Sequence, residues 1–351
     1  MNEHLISLDE LWELRGQIPI VDARSENEFQ QSHIPGSINL PILTNEERIR
    51  VGTLYKKEGS LKATIEGFKL VGPRFYRIQN TAVENFPEKK VLIYCWRGGM
   101  RSQILSWLLS MIGFQVYRLV GGYKAYRTFT FQLVRRDWNL LVLGGKTGVG
   151  KTRLLNVLTS YGEQILDLEA IANHRGSAFG GIGQKPQPSV EQFENLMAEE
   201  LRQKDPNQVI WLENESQRIG KIIINDKFFE CMESAPLIDI KKSEEERIGL
   251  IKEIYSTLPK EELIAAVTRL KKKLGGLRTT QAIEDIINDQ HESWISNMLI
   301  YYDKSYQFDL DKHNPKTIQT LDLTGLDIEK SCQLLINIKN LLNGKQINPA
   351  H

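Results

Sequence analysis

Residues 139–152 read NLLVLGGKTGVGKT: an apolar run, a glycine-rich turn, then Lys-Thr opening a helix-like stretch that reaches residue 160. Gly145, Lys146, Thr147, Gly148, Val149, Gly150, Lys151 and Thr152 fit G-x-x-x-x-G-K-[ST], and a strand before that spacing with a helix after it is the setting that gives it meaning. The glycines let backbone N–H groups approach phosphate oxygens, Lys151 brings a point charge to the terminal phosphate, and the Thr152 hydroxyl is suited to magnesium. A diphosphate ester presents the same oxygens as a nucleotide tail. The motif therefore fixes the phosphate end of the ligand and leaves the other end open.

About fifty residues upstream, residues 94–102 read YCWRGGMRS. Cys95 ends an apolar run, and Arg97, Gly98, Gly99, Met100, Arg101 and Ser102 lead into a helical stretch. Successive N–H groups curling round a sulfur, with two arginines and a helix N-terminus nearby, predict an oxyanion cradle that favours the thiolate. Chemical competence further requires that the sulfur be open to an incoming group, and Cys95 is expected to be so. Cysteine is often merely a small buried residue, but glycines and arginines beside it serve no packing purpose.

Composition sets the frame for both loops. The 351 residues exceed a single domain of about 100–200, so two domains are expected. An apolar fraction of 41% and a charged fraction of 25% are those of a globular protein, and a net charge of +1 excludes a uniformly basic coat for nucleic acid. Any RNA surface must be regional. Three cysteines, Cys95, Cys231 and Cys332, match neither a disulfide framework nor a zinc site. With no secretory signal at the start and no apolar run of about eighteen residues, the sequence reads as a cytoplasmic enzyme without a membrane segment.

Strand and helix signals alternate along the chain. A helix is expected over residues 9–15, strands over 18–22, 91–94 and 116–119, and helices over 45–58 and 101–112. These make an N-terminal α/β domain spanning 1–135. The second α/β domain, 136–351, holds the phosphate loop, strands over 164–168, 209–213 and 235–241, and a helical extension over 243–299. Near its loop lie two further groups. Glu213 and Glu215 end the strand VIWLE, with Glu213 a candidate magnesium partner alongside Thr152. Asp167, Glu169, His174 and Arg175 surround the glycine-rich turn of DLEAIANHRGSAFGG and, with Arg218, form a candidate substrate loop. The run RLKKKLGGLR, residues 269–278, holds five basic residues suited to RNA phosphates or to a solvated helix face. Trp294, Tyr301 and Tyr302 are expected in the core.

VDARS, HIPGSINLP, the cysteine loop and LVGGYKAY together resemble the rhodanese superfamily over residues 12–130. The resemblance implies that Asp22 and Arg24 support the core behind the loop. Cys95 to Arg101 spans seven residues where simple thiosulfate sulfurtransferases carry six, so a wider ring of amides suits a phosphate-like donor. Phosphatase relatives place His before the cysteine, and here Tyr94 stands there. With GGKTGVGKT, DLEAIANHRGSAFG, FENLMAEEL, LENESQRIG and YYDKSYQF following in order, nearly the whole chain resembles the bacterial tRNA 2-selenouridine synthases. That resemblance implies a rhodanese-like domain fused to a P-loop domain and a two-step change of wobble 2-thiouridine in tRNA. S-geranylation from geranyl diphosphate comes first. Replacement of the geranylthio group by selenium from selenophosphate follows, with Cys95 taking selenium as a perselenide or otherwise assisting its transfer. No tightly bound cofactor is expected, a need for magnesium is left open, and no obligate protein partner is evident. The alternatives are a sulfurtransferase coupled to an ATP-dependent kinase or NTPase, and a regulatory module in which the P-loop senses nucleotide.

Overall fold

The computed structural model describes residues 3–346. Two compact units emerge, Met1–Leu133 with Glu191–Glu199, and Val134–Val190 with Glu200–His351. Among the described residues no helix is long and apolar enough to cross a membrane.

The first unit is a five-stranded parallel sheet, with β1 (Glu3–Ile6), β2 (Ile20–Asp22), β3 (Ile38–Asn39), β4 (Lys90–Tyr94) and β5 (Gln115–Leu119) in the order β1-β5-β4-β2-β3. Parallel strands need crossovers, and these cover both faces. The result shows in β4: Val91, Ile93 and Cys95 join one apolar cluster, while Leu92 and Tyr94 join the other. Helix starts are capped as the local sequence requires, Ser7 with Glu10 and Thr44 with Glu47 each closing a capping box. Behind the end of β4, Asp22 holds the Arg24 guanidinium at 2.6–3.1 Å, and both side chains are buried. The Arg24 guanidinium also lies 4.1 Å from the Tyr123 ring. This is the support that the resemblance implied for Asp22 and Arg24.

The segment Glu191–Glu199, expected with the P-loop region, groups with this unit. Glu199 accepts from Arg15 and Tyr126, and Asn195 donates to the Tyr123 hydroxyl.

The second unit is again a parallel five-stranded sheet: β6 (Leu140–Gly145), β7 (Gln164–Ile165), β8 (Ile210–Glu213), β11 (Leu237–Lys241) and β12 (Ile318–Asp322), ordered β12-β11-β6-β8-β7. A short antiparallel hairpin, β9 (Arg218–Ile219) with β10 (Ile222–Ile223), follows β8. The helical extension runs from Glu244 and includes the long helix His291–Leu310, with Trp294 buried and Tyr301 and Tyr302 packed against the same cluster.

Differences from the sequence reading are local. The strand expected over 164–168 stops at Ile165, because Asp167 caps the helix Leu168–Ala172 by accepting from the Ala170 N–H at 2.8 Å. β1 and β12 escaped notice, since both are edge strands with largely exposed side chains. The helices Ser60–Val71 and Phe75–Asn85 were not anticipated either.

Removing one partner of the Asp22–Arg24 pair leaves an uncompensated buried charge. We expect Asp22→Ala to destabilise the protein by about 3–5 kcal/mol, read by urea unfolding, with Asp22→Asn losing less.

Candidate functional site

In the first unit the cysteine loop is pinned from below by the turn after β5. Tyr123 N–H donates to the Cys95 carbonyl at 2.8 Å, Lys124 N–H to Trp96 at 2.9 Å, and Arg118 Nη1 to the Gly98 carbonyl at 2.6 Å. The two chains approach backbone to backbone. At Gly122, where φ is +57°, a Cβ would collide with the Cys95 carbonyl oxygen and lie 2.5 Å from the Gly98 nitrogen. The glycine pair in LVGGYKAY is therefore part of the loop's floor.

Two expectations for this loop require correction. Cys95 is only 3% exposed, so its sulfur is not open to solvent. The close approach at Gly122 draws the loop down, and Cys95 joins the core cluster with its Sγ 3.2 Å from Ser102 Oγ and 3.8 Å from the Gly99 carbonyl. Ser102 Oγ itself donates to the Gly99 carbonyl at 2.9 Å. Second, of the two arginines expected to serve the cradle, Arg101 forks onto Glu28 at 2.5 and 3.3 Å. Burial alone would raise the Glu28 carboxyl, but Arg101 and the Ser25 amide hold it below its ordinary value. Arg97 remains on the outer side and, with Gly121 and Lys124, lines a shallow depression. Met100 is half exposed at the start of the helix Met100–Ser110.

In the second unit the phosphate loop joins β6 to the helix Lys151–Ser160 as the motif predicts. Lys151 Nζ donates to the Gly145 carbonyl at 3.0 Å. Outside the motif, Arg247 Nε donates to the Thr147 carbonyl at 2.8 Å while its guanidinium grips Asp303 at 2.5 and 3.0 Å. Asp303 also takes Lys146 at 3.1 Å, and Tyr306 donates to Asp239 at 2.5 Å. These buttresses were missed. Asp303 and Tyr306 sit at i and i+3 in YYDKSYQF, a helix face that only Arg247 and the loop make meaningful.

Three of the predicted acidic residues converge. Carboxylate oxygens of Glu169, Glu213 and Glu215 lie within 4.8 Å of one another. Burial first, then mutual repulsion, raises the Glu169 carboxyl to about 9 and the Glu215 carboxyl to about 7. Glu213 is likewise raised by burial, against the pull of Lys151 and Thr152, and its Oε1 has no hydrogen-bond partner among the described residues. An orphaned buried carboxylate oxygen beside two others fits a hard divalent cation, so Thr152, Glu213, Glu169 and Glu215 would hold magnesium, which supplies charge neutralisation at a diphosphate. Gly176, at φ +66°, touches this cluster so closely that a Cβ would lie 2.8 Å from Glu215 Oε2. The glycine of HRGSAFG thus packs directly on the carboxylates.

Asp167 is occupied in capping. His174 and Arg218 line a neighbouring cavity of about 820 Å³ with Ser177, Lys221 and Arg269. Arg175 Nη1 and His174 Nδ1 are buried without partners among the described residues. In the basic run, Lys271, Lys272, Lys273 and Arg278 are exposed, whereas Arg269 donates to the Ala178 carbonyl at 3.1 Å.

These folds and loops define a rhodanese-like α/β domain followed by a P-loop α/β domain with a helical extension. The rhodanese-like family model matches residues 7–128, and the model described as tRNA 2-selenouridine synthase AAA domain matches residues 138–324. A tRNA 2-selenouridine synthase of Nitrosomonas europaea is 33% identical over 349 residues, covering 85% of this chain and 90% of that one. Those of Hydrogenovibrio crunogenus and Pseudomonas fluorescens are 32% and 34% identical, covering 88% and 83% of this chain and 92% and 88% of their own lengths. The chain belongs to the tRNA 2-selenouridine synthase family.

Two outcomes follow for the sites. Gly122→Ala should displace the cysteine loop and leave the P-loop unit folded, seen as lost protection of the residue 95–102 amides in hydrogen exchange with unchanged protection over residues 140–160. In the carboxylate cluster, raised pKa values mean that the folded chain keeps protons the unfolded chain releases near pH 4.5. Stability without magnesium should then fall as pH rises from about 5 to 9, by at most about 1.4 kcal/mol per pH unit per retained proton. Thermal unfolding should show magnesium raising the midpoint more at pH 8.5 than at pH 5, and Glu169→Gln flattening the slope.

Proposed function

We infer that this chain converts 2-thiouridine at the tRNA wobble position into 2-selenouridine through an S-geranyl intermediate. The observation that carries the reading is the presence, in one chain of this family, of a cysteine cradle and of a phosphate loop facing a three-carboxylate cluster. A sulfurtransferase coupled to a kinase would also use both loops, and membership of this family favours the selenation reading.

At the phosphate loop, the thiocarbonyl sulfur attacks C1 of geranyl diphosphate. The C–O bond breaks, and pyrophosphate leaves with its electron pair while the base loses its N3 proton. Lys151 and the loop amides stabilise the charge that develops on the leaving group. Glu169, Glu213 and Glu215 would hold magnesium there as carboxylates, and that cation would offset the charge of the diphosphate. At the cysteine loop, the alkylated sulfur is now a good leaving group. Selenide from selenophosphate forms the C2–Se bond, geranylthiol departs, and water takes the phosphoryl group to phosphate. Ser102, 3.2 Å from the sulfur, is the nearest partner for the Cys95 proton. Because Cys95 lies beneath its own loop, admitting the donor requires residues 96–99 to give up the Lys124–Trp96 and Arg118–Gly98 hydrogen bonds.

Cys95→Ala should abolish selenation and spare geranylation, whereas Lys151→Ala should weaken geranylation about 10²-fold or more and leave selenation of pre-geranylated RNA intact. Mass spectrometry of the modified nucleosides checks both. Loss of both steps in a folded Cys95→Ala protein would overturn the division of labour.

A further inference from the structure

The first unit carries a cavity of about 690 Å³ against the cysteine loop, within the size range of small-molecule sites. Its walls are mostly carbon: Ile49, Val51 and Phe68 come from the helices Asn45–Glu58 and Ser60–Val71, and Trp96, Met100 and Ile104 from the cysteine loop and the helix behind it. We propose that this cavity receives the geranyl chain of the S-geranylated RNA base while C2 of that base faces Cys95. The assignment rests on the function inferred above and names where its apolar substrate group binds.

Three observations carry it. The helix pair contributes little to the core: Asn45–Glu58 buries no side chain, and Ser60–Val71 buries only Ala63 and Val71. Yet Ile49, Tyr55, Leu61, Ile65 and Phe68 are all exposed on it. A soluble chain keeps an apolar patch of that kind where something apolar binds.

Both helices also hold an interior glycine on the cavity, Gly52 and Gly67. Each weakens its helix by about 1 kcal/mol relative to alanine. Packing does not demand them, since a Cβ on Gly52 meets nothing within 4 Å and one on Gly67 meets only Val51 Cγ2 at 4.0 Å. Neither has a positive φ. What the missing side chains preserve is open volume.

The cavity also abuts the cysteine loop, although the buried Cys95 does not line it. Trp96, Met100 and Arg101 belong to both, so a chain lying in the cavity ends beside the loop that holds Cys95. Lys56 and Arg48, the latter 3.8 Å from Glu28, line it too, giving cations near the RNA that carries the chain. An extended isoprenoid attached to a polyanion matches a carbon-lined slot with basic residues among its walls. Holding the chain there keeps the leaving thiolate's tail out of water and fixes the C2–S bond relative to the loop.

The test uses the full chain and synthetic anticodon stem-loops carrying S-geranyl-2-thiouridine, S-methyl-2-thiouridine or 2-thiouridine, with binding read by fluorescence anisotropy and selenation by single-turnover assay. Wild type should bind the geranylated RNA about ten-fold or more tightly than the methylated one. Gly52→Leu, which fills the cavity and improves the helix, should erase that preference, slow selenation of geranylated RNA, and leave geranylation of the 2-thiouridine stem-loop unchanged. Ile49→Asn, at an exposed position, should act in the same direction and guards against a folding artefact. Equal wild-type affinity for geranyl and methyl stem-loops would overturn the proposal, as would wild-type selectivity in both variants. So would a change in sedimentation on Gly52→Leu without a change in RNA binding, which would assign the face to self-association. Should wild type bind geranylated RNA selectively through Gly52 but fail to selenate it, the inferred function falls and the isoprenoid site stands.

Discussion

Each unit is governed by the geometry of a parallel sheet. Parallel strands all end at one edge, and the turn that follows each strand must supply its own hydrogen-bonding partners there. In the first unit that edge receives Cys95 after β4, Asp22 at the end of β2, and the Gly121-Gly122 turn after β5. In the second it receives the phosphate loop after β6 and Glu213 at the end of β8. Residues far apart in sequence thus become neighbours because their strands are adjacent in register. Chemistry at both edges relies on backbone amides left free by the same constraint.

The two edges differ in how they handle charge. At the cysteine loop positive charge is largely spent inside the unit: Arg101 on Glu28, Arg118 on Glu3, and Arg24 on Asp22. What remains close to the sulfur is dipolar, made of a serine hydroxyl, a carbonyl and a helix N-terminus. At the phosphate loop negative charge is concentrated instead, and burial keeps part of it protonated. A neutral-to-dipolar cradle suits a small anion that must arrive and leave, whereas a buried acidic cluster suits a cation held against a diphosphate.

Buttressing accounts for the parts of the chain outside the loops. Arg247, Asp303 and Tyr306 hold the phosphate loop through the Thr147 carbonyl, Lys146 and the Asp239 carboxylate. Gly122 and Arg118 do the same for the cysteine loop. Among the described residues, the helix pair after β3 reaches the cysteine loop only through Arg48 on Glu28 and Thr64 on Met100, and otherwise presents carbon to a cavity.

The sequence by itself determined the two strand–loop–helix units, because the period of apolar residues and the glycine spacing are local properties that neighbours in the chain express together. It marked Cys95, Lys151, Thr152, Glu169, Glu213 and Glu215 as candidate site residues, for carboxylates and glycines have few reasons to end apolar strands. It also kept Trp294 in the core. Tertiary structure alone decided that the cysteine lies under its loop rather than open to solvent, since that depends on a close approach between residues 95–98 and 119–123 that no local pattern encodes. It alone assigned Arg101 to Glu28, joined Glu169 to the Glu213–Glu215 pair, and opened an apolar cavity beside the helix 45–58, whose sequence reads as charged. Pairings of that kind are set by how strands and helices stack in space. Spacing along the chain carries no record of them.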